Sequence, residues 1–436
     1  MIKILYSIKR FLTPVRVIAF GFLTVILVGS GLLMLPFCIK EGVDLKYIDA
    51  LYTSTSAVCV TGLIAVDAGD TFTTAGQIIL AVLIQVGGLG VTTVGTGIMI
   101  AIGKKIDLRG RNIIMEASNT SSVKGTIKLL KRIFIYTAIV EGIGAFLSFS
   151  VFVQKYSIGK AIGISLFHSV AAFNNSGFDI LGGGQSLIPY QNDVVLNFVT
   201  SGLIIIGGLG FLVIKELLEK KFRWRNLSMH AKVVITVNTA LTVIGTVLLR
   251  FTEEITWLGA FFSSVSARTA GFATFPMGNF TSAGLMIMIV LMFIGASPGS
   301  TGGGIKTTTF FVLINGIRAS ATNRRPQAFN YSVPRGAYKK SSMIALLGIT
   351  VVILGTLILS VFEPGIPLEE LLFETVSAFG TVGLSTGITG GLKVGSKIVS
   401  IIVMFIGRLG PMTIVTLWSA QREERIKYPD GNISIG

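Results

Sequence analysis

The sequence predicts an all-α integral membrane protein built from four fused repeats. Each repeat consists of a membrane-spanning helix, a re-entrant half-helix and a second spanning helix. Three observations predict this fold class. The chain has long hydrophobic stretches with few charges, its basic and acidic segments alternate, and a glycine-centred motif occurs four times.

The composition indicates a membrane protein before any motif is considered. Of the 436 residues, 51% are hydrophobic and only 13% are charged, whereas a soluble domain carries about 25% charged residues. A soluble fold cannot bury the long uncharged stretches that follow. The 52 glycines suit close helix packing and irregular intramembrane backbone. Two cysteines, Cys38 and Cys59, imply no disulfide framework, and we expect both to be buried.

Hydrophobic runs predict eight spans, since a bilayer crossing needs about 20 residues. The first run follows a short basic N-terminus and is too long for a signal-peptide core, so we expect it to be retained as a helix. The eight predicted spans cover residues 17–39, 71–103, 133–153, 194–214, 233–249, 280–305, 341–362 and 398–421.

The net charge of +16 is concentrated in the loops. Besides the N-terminus, cations cluster at residues 104–132, 215–232, 306–340 and 422–427, and the acidic residues lie in the segments between them. This alternation follows the positive-inside rule. It predicts a plasma-membrane protein with both termini in the cytoplasm, and it argues against a surface for nucleic acid.

The fourfold repeat is the strongest pattern in the chain. The predicted half-helices occupy residues 50–63, 165–178, 260–272 and 371–384, and each carries one glycine near its end: Gly62, Gly177, Gly271 and Gly383. A second motif follows each of them and begins at Gly87, Gly207, Gly295 and Gly407. We therefore divide the chain into repeats at residues 1–103, 104–220, 221–325 and 326–436, the last with a cytoplasmic C-terminal tail.

The half-helix is the chemically informative part of each repeat. A helix of about ten residues covers roughly 15 Å, half of the hydrocarbon core, and ends with unpaired carbonyl groups. Those groups and the helix dipole favour a cation. A glycine permits the positive φ of a loop that turns back outward. Four such loops predict carbonyl rings around a pseudo-fourfold pore, whereas a single glycine would indicate only helix packing.

The motif residues resemble the Trk/Ktr/HKT superfamily of cation transporters. The resemblance rests on SAVCVTGL, VAAFNNSGF, VSARTAGF and VSAFGTVGL, followed by GGLG and MFIGRLGP, and it extends to the tail at residues 425–431. The chain looks most like the membrane subunit of a Ktr system. This implies potassium uptake, often stimulated by sodium, by a bacterial homodimer with a separate cytoplasmic, nucleotide-binding regulatory ring (KtrA-like). We expect no cofactor in this chain.

The resemblance implies a selectivity filter that binds potassium through backbone carbonyls. Its residues are four triplets: Val60, Thr61, Gly62; Asn175, Ser176, Gly177; Thr269, Ala270, Gly271; and Thr381, Val382, Gly383. Some HKT members carry serine at the first glycine and prefer sodium, so four glycines favour potassium. Cys59 stands where threonine or another small residue is expected, and its effect on selectivity is open. Two histidines, no metal-binding spacing and no nucleophile–base pair argue against an enzyme, and no catalytic residue is predicted.

Two features break the fourfold symmetry. The second span of the third repeat contains a proline and several glycines, which a continuous helix does not tolerate. This segment resembles the intramembrane gate loop of the family. The predicted gate-loop residues are Gly295, Ser297, Pro298, Gly299, Ser300, Thr301, Gly302, Gly303, Gly304 and Lys306. A kinked helix without a gating role is the alternative. A phosphate loop is excluded because Ile305 separates Gly304 from the lysine.

Arg408 is the second such feature, since an intramembrane cation faces a partner or a cavity. We expect it to tune cation occupancy or to hold the gate loop, and a structural salt bridge is the alternative. For Glu141, the other charge within a span, we expect a buried hydrogen bond. A sodium-conducting protein or a cation-coupled secondary transporter of the same superfamily is the alternative function, although coupled transporters often have inverted repeats.

Overall fold

The computed structural model describes residues 13–102, 126–334 and 336–418, and nearly all of this part is helical. In the first two predicted repeats the helices are α1 (Pro14–Leu33), α2 (Tyr47–Cys59), α3 (Ala68–Thr71), α4 (Thr74–Leu89), α5 (Val91–Ala101), α6 (Thr126–Phe152), α7 (Ile158–Phe173), α8 (Val194–Leu209) and α9 (Phe211–Glu219). In the last two they are α10 (Met229–Thr252), α11 (Trp257–Ser266), α12 (Ser282–Phe293), α13 (Thr307–Ala321), α14 (Ala337–Phe362), α15 (Leu368–Gly380), α16 (Val394–Leu409) and α17 (Pro411–Trp418).

Within the described part of the chain, four helices are long and apolar enough to cross a membrane singly, namely α1, α6, α10 and α14. They have 20, 27, 24 and 26 residues, which suffices for a hydrocarbon core of about 30 Å. Large apolar side chains on them face outward, and Phe146 and Phe251 are 75% and 80% exposed. Such exposure suits contact with lipid. These helices confirm the first span predicted for each repeat.

The half-helices α2, α7, α11 and α15 form the buried centre of the protein. Their side chains contribute many of the largest fully buried residues, including Tyr52, Phe173, Phe262 and Phe379. Two of the helix starts differ: the Thr256 hydroxyl caps α11 by accepting from the N–H of Gly259, whereas Pro367 is the N-cap of α15 without a side-chain hydrogen bond.

The second spans differ from the expected straight helices. In three repeats the span is a pair of helices bent by 95° to 99°: α4 with α5, α8 with α9, and α16 with α17. Each bend falls on the last glycine of the second motif, and Gly90, Gly210 and Gly410 have φ of 89°, 90° and 88°. Only glycine adopts this conformation with ψ near 135° at low cost. The motif that marks the repeats therefore turns the chain.

In the third repeat the span is interrupted as predicted. α12 ends at Phe293 and α13 begins at Thr307, and a parallel bridge between Ile294 and Ile305 closes the neck of the loop between them. A short hairpin, β1 (Gln327–Ala328) with β2 (Tyr331–Ser332), follows α13.

The predicted repeat boundaries stay predictions. The boundaries at 220/221 and 325/326 fall between helices, whereas the boundary at 103/104 lies outside the described residues. Four further predicted features also lie wholly or partly outside the described residues. They are the end of the last span at residue 421, most of the basic cluster at 104–132, the cluster at 422–427 and the tail motif at 425–431.

Candidate functional site

The four motif glycines meet at one point of the structure and form a closed ring. A methyl group built on Gly62 would overlap the carbonyl oxygen of Ser176, and the same relation joins Gly177 to Ala270, Gly271 to Val382 and Gly383 to Thr61. The order around the ring is that of the repeats, and the fourth closes on the first. Any side chain at these glycines would collide with the neighbouring segment.

The four loops share one backbone conformation. Two residues before each glycine, the chain adopts a left-handed turn, with φ of 55°, 56°, 78° and 48° at Val60, Asn175, Thr269 and Thr381. The glycines themselves have φ of 91°, 68°, 82° and 100°. The third loop follows the same pattern although its half-helix is one residue shorter in sequence. The common turn therefore sets the register of the four copies.

The N–H groups of the loops are bound by the helix ends behind them. In the first copy, the N–H of Thr61 donates to the Ser56 carbonyl at 2.7 Å, and that of Gly62 to the Ser56 hydroxyl at 3.0 Å. In the fourth copy, Val382 and Gly383 donate to Ser377 in the same way, at 2.9 and 3.0 Å.

The carbonyl oxygens of the loops are free of protein donors. Within the described part of the chain, no hydrogen bond is donated to a carbonyl oxygen of the four predicted filter triplets. Unpaired buried carbonyl groups are costly. Carbonyl oxygens that gather at one axis without protein donors can instead coordinate a cation.

The second motif packs directly against the ends of the half-helices. A methyl group on Gly87 would overlap the carbonyl oxygen of Val58, one on Gly207 that of Phe173, and one on Gly407 that of Phe379. Glycine is needed at these positions because the second span lies directly against the backbone of the half-helix. In the first, second and fourth repeats the two motifs thus meet where the predicted filter loop begins.

The loop that interrupts the third repeat lies directly against the filter turns. The N–H of Gly303 donates to the Thr381 hydroxyl at 2.9 Å, and the Thr301 hydroxyl donates to the carbonyl of Phe173 at 3.3 Å. A methyl group on Gly302 would overlap the hydroxyl of Thr269. The loop therefore touches the second, third and fourth copies of the motif.

The remaining predicted loop residues bind the loop to itself and to α8. The N–H of Ser297 donates to the Gly208 carbonyl at 3.1 Å and that of Phe211 to the Gly299 carbonyl at 3.0 Å. The ammonium of Lys306 donates to Gly302 at 2.7 Å, and Ser300 donates to Ser297 at 2.6 Å. The carbonyl oxygen of Pro298 and that of Gly299 lie beside the bend at Gly210, and Gly304 packs against Gly295 and Gly380.

Arg408 is half-buried and binds carbonyl oxygens. Its guanidinium donates to Thr301 in the loop and to Gly87, and to Gly88 at 3.2 Å. Within the described residues no carboxylate forms an ion pair with it. A cation from the fourth repeat thus joins the loop of the third repeat to the second span of the first.

Arg268 lies in the third motif, VSARTAGF, one residue before the predicted filter triplet. Its side chain turns away from the ring and donates to the carbonyls of Ile294 and Gly295, at 3.0 and 2.9 Å. It also donates to the amide oxygen of Asn238 at 2.9 Å, and Asn238 donates to the Ser297 hydroxyl at 3.1 Å. Arg268 and Asn238 hold the start of the loop, as Arg408 holds its tip.

Polar side chains also link neighbouring copies. The amide of Asn175 and the hydroxyl of Thr269 lie 3.0 Å apart, joining the second and third copies. Asn174 donates to Gln85 at 2.7 Å and to Glu141 at 3.2 Å, which is the hydrogen bond expected for that glutamate. Cys38 and Cys59 are buried and unpaired.

Several residues near the ring were not singled out from the sequence. Asn238 could have been, because it carries the only amide side chain in the predicted span at residues 233–249. Asp179 follows the second filter glycine by two residues and is 6% exposed. Burial raises the pKa of its carboxyl to about 7, opposed by the N–H of Leu181 and supported by the charges of Asp67 and Asp70.

The described residues contain no group of three or more histidine, cysteine, aspartate or glutamate side chains that could hold a metal ion. The four predicted filter triplets carry backbone carbonyl, hydroxyl and amide oxygens, and such oxygens suit hard cations.

Comparison with known proteins supplies the family. A family model described as a cation transport protein, TrkH, matches residues 16–258 and 227–426. Among curated proteins, the chain is 36% identical to "Ktr system potassium uptake protein B" of Bacillus subtilis over 97% of both chains. It is 38% identical to "Potassium/sodium uptake protein NtpJ" of Enterococcus hirae over 98% of both.

Among solved structures, the fold is similar to that of the potassium transporter TrkH from Vibrio parahaemolyticus. The TM-score is 0.70, the identity is 20%, and the match covers 92% of this chain and 84% of the other. At this identity the likeness concerns the fold alone.

Proposed function

Because the chain belongs to the TrkH family of cation transport proteins, we propose that it conducts potassium ions as the membrane subunit of a Ktr-type uptake system. The permeation path is the ring of four loops, and its ligands are the carbonyl oxygens of the four triplets that end at Gly62, Gly177, Gly271 and Gly383.

One observation carries this proposal. The four loops close in the order of the repeats, and their carbonyl oxygens accept no hydrogen bond from the described residues. Carbonyl groups left in this state in a membrane protein need water or a cation as partner. The names of the relatives that contain "potassium uptake" support potassium as that cation.

The loop at residues 295–306 is the proposed gate. It packs against the filter turns through Gly303 and Thr301, so a cation leaving the ring on that side meets the loop before it reaches the cytoplasm. Arg408 holds the loop shut by its bond to Thr301. Deletion of several residues between Gly299 and Gly304 should raise flux, and unchanged or lower flux at normal expression would oppose a gate.

The partner proteins and the orientation are part of the same proposal. A Ktr system implies a second component, and we propose a homodimer of this chain that binds a cytoplasmic, nucleotide-binding ring. Both chain termini then lie in the cytoplasm. The basic segments at residues 215–232 and 306–340 would face that ring and the membrane surface on the same side.

The alternative is a protein that conducts sodium or couples potassium to sodium. The name "Potassium/sodium uptake protein" of the Enterococcus hirae relative supports this alternative. The four glycines at the filter position favour potassium.

Uptake of radioactive rubidium or potassium into proteoliposomes, with and without sodium, tests both proposals. We expect saturable uptake that sodium does not displace at equal concentration. The chain should also restore growth of a potassium-uptake-deficient bacterium at low potassium. Gly271→Ser and Gly383→Ser should lower the preference for potassium over sodium, and an unchanged preference in both would contradict the filter assignment.

A further inference from the structure

Each half-helix carries one buried polar side chain at the same position behind the filter. Thr53, His168 and Glu374 precede their filter glycines by the same nine residues, and Ser263 precedes Gly271 by eight in the shortened third copy. All four are nearly inaccessible, at 1%, 3%, 0% and 2% exposure. The position therefore tolerates a small hydroxyl in two repeats, and helix packing does not require a carboxylate there.

Glu374 is the only acid of the four, and its burial is unfavourable. Removing a carboxylate from water costs several kcal/mol unless hydrogen bonds replace the lost hydration. Its Oε1 accepts from the Thr389 hydroxyl at 2.6 Å, whereas its Oε2 has no hydrogen-bond partner within the described residues. A buried polar group that lacks a partner calls for an explanation other than stability.

Glu374 differs from the shorter residues because its side chain is long enough to contact Thr389. Thr389 lies beyond the filter, in the segment that leads from Gly383 to the second span, and it also contacts the Ser385 hydroxyl at 2.9 Å. Ser385 is two residues after Gly383. The Thr53 and Ser263 hydroxyls, by contrast, have no hydrogen-bond partner within the described residues.

A second carboxylate on the same helix face binds the same segment. Glu370 is one turn before Glu374, and it accepts from the Thr386 hydroxyl at 3.0 Å. The segment itself is rich in glycine, and Gly387 has φ of 106°, so its backbone has little intrinsic order. These side-chain bonds to α15 therefore fix the path by which the chain leaves the filter.

We propose that Glu374 is a positioning residue for the fourth filter copy. Through Thr389 and Ser385 it fixes the outer end of the segment that contains Gly383, and thereby the spacing of the carbonyl ring and its preference for potassium over sodium. The inference rests on the filter of the proposed function.

The test compares ion preference, measured as rubidium uptake in proteoliposomes against competing sodium, among matched variants. Glu374→Thr installs the residue that the first repeat has at this position, Thr389→Val removes the partner hydroxyl, and Glu374→Gln retains an acceptor for it. Ser263→Thr is the control at the same position of the third repeat, and Gly383→Ser is the reference for a damaged filter.

We expect Glu374→Thr and Thr389→Val each to lower the preference about three- to tenfold, the range expected for the loss of one typical hydrogen bond. The double variant should be no worse than either alone. Glu374→Gln and Ser263→Thr should stay within about twofold of the unchanged protein.

A wild-type preference in Glu374→Thr and Thr389→Val, with a lowered preference in Gly383→Ser, overturns the positioning role and leaves the filter intact. An unchanged preference in Gly383→Ser as well overturns the filter itself. If Glu374→Thr does not yield a monodisperse protein, Thr389→Val decides: a preference like that of the unchanged protein refutes the inference.

Discussion

The guanidinium of Arg408 donates to the backbone carbonyl of Thr301, at the tip of the loop that lies against the filter turns. The same guanidinium binds Gly87 and Gly88 in the second span of the first repeat. A movement of the loop tip away from the ring must break this bond, whereas the contacts to the first repeat can remain. Arg408 therefore stabilises the observed position of the loop, which is the closed position under the proposed function.

Replacing Arg408 with glutamine should raise cation flux. A hydrogen bond from a charged donor contributes about 1.5–3 kcal/mol, so the closed state loses on the order of tenfold or more in population. Rubidium efflux from proteoliposomes without any partner protein measures the change. Arg408→Lys keeps the charge but has only one donor nitrogen, and it should give an intermediate flux. Flux at or below the wild-type level, with normal expression, would show that Arg408 does not hold the loop shut.

Replacing Arg268 should lower the stability of the protein rather than raise its cation flux. Arg268→Gln leaves the carbonyls of Ile294 and Gly295 without their buried donor, which costs about 1–3 kcal/mol for each unsatisfied group. We expect a fall of several degrees in the unfolding temperature in detergent, measured by size-exclusion chromatography after heating. Arg318→Gln, an exposed arginine on α13, is the control. An equal unfolding temperature in both variants would contradict a structural role for Arg268.

The contact between the two motifs predicts a contrast between two glycines on α8. A methyl group on Gly207 overlaps the Phe173 carbonyl, whereas one on Gly202 has no atom within 4 Å. Gly207→Ala must shift the second span or the end of α7, so we expect a loss of about 1–3 kcal/mol and reduced uptake. Gly202→Ala should be neutral or slightly stabilising. The two unfolding temperatures and uptake rates give the comparison, and similar values would mean that the close packing is not required.

Much of this architecture follows from the sequence because it rests on repetition. The sequence alone shows a filter-position glycine followed by a second motif in each of the four repeats. The chain's membership of the cation transport family confirms the resemblance drawn from these motifs. The interruption at residues 295–306 was also predictable, because Pro298 and its neighbouring glycines exclude a continuous helix.

The contacts that join different repeats could not be predicted in the same way. The sequence showed Arg408 as an intramembrane cation but could not indicate Thr301, more than a hundred positions away, as its acceptor. Arg268 adjoins the third predicted filter triplet in the sequence, and only the fold reveals that its side chain turns toward Ile294. The bends at Gly90 and Gly410 were missed because hydrophobicity does not change where the backbone turns.

Asp179 predicts a pH dependence of uptake at limiting potassium. Burial raises the pKa of its carboxyl to about 7, and the charges of Asp67 and Asp70 act in the same direction. Below pH 7 the group is therefore mostly neutral, and above it the carboxylate places a negative charge two residues beyond Gly177. Even with the full screening of water, two unit charges several ångströms apart interact by roughly 0.7 kcal/mol, or about threefold in cation occupancy.

Uptake at limiting potassium should accordingly rise about threefold between pH 6 and pH 8, and uptake at saturating potassium should change little. Asp179→Asn retains the oxygen that accepts from the N–H of Leu181 but cannot ionise, so its uptake should be flat over this range. Glu254→Gln, an exposed acid in an acidic loop, should retain the rise. If Asp179→Asn retains it too, another group is titrating, because the asparagine carries no charge at any of these pH values.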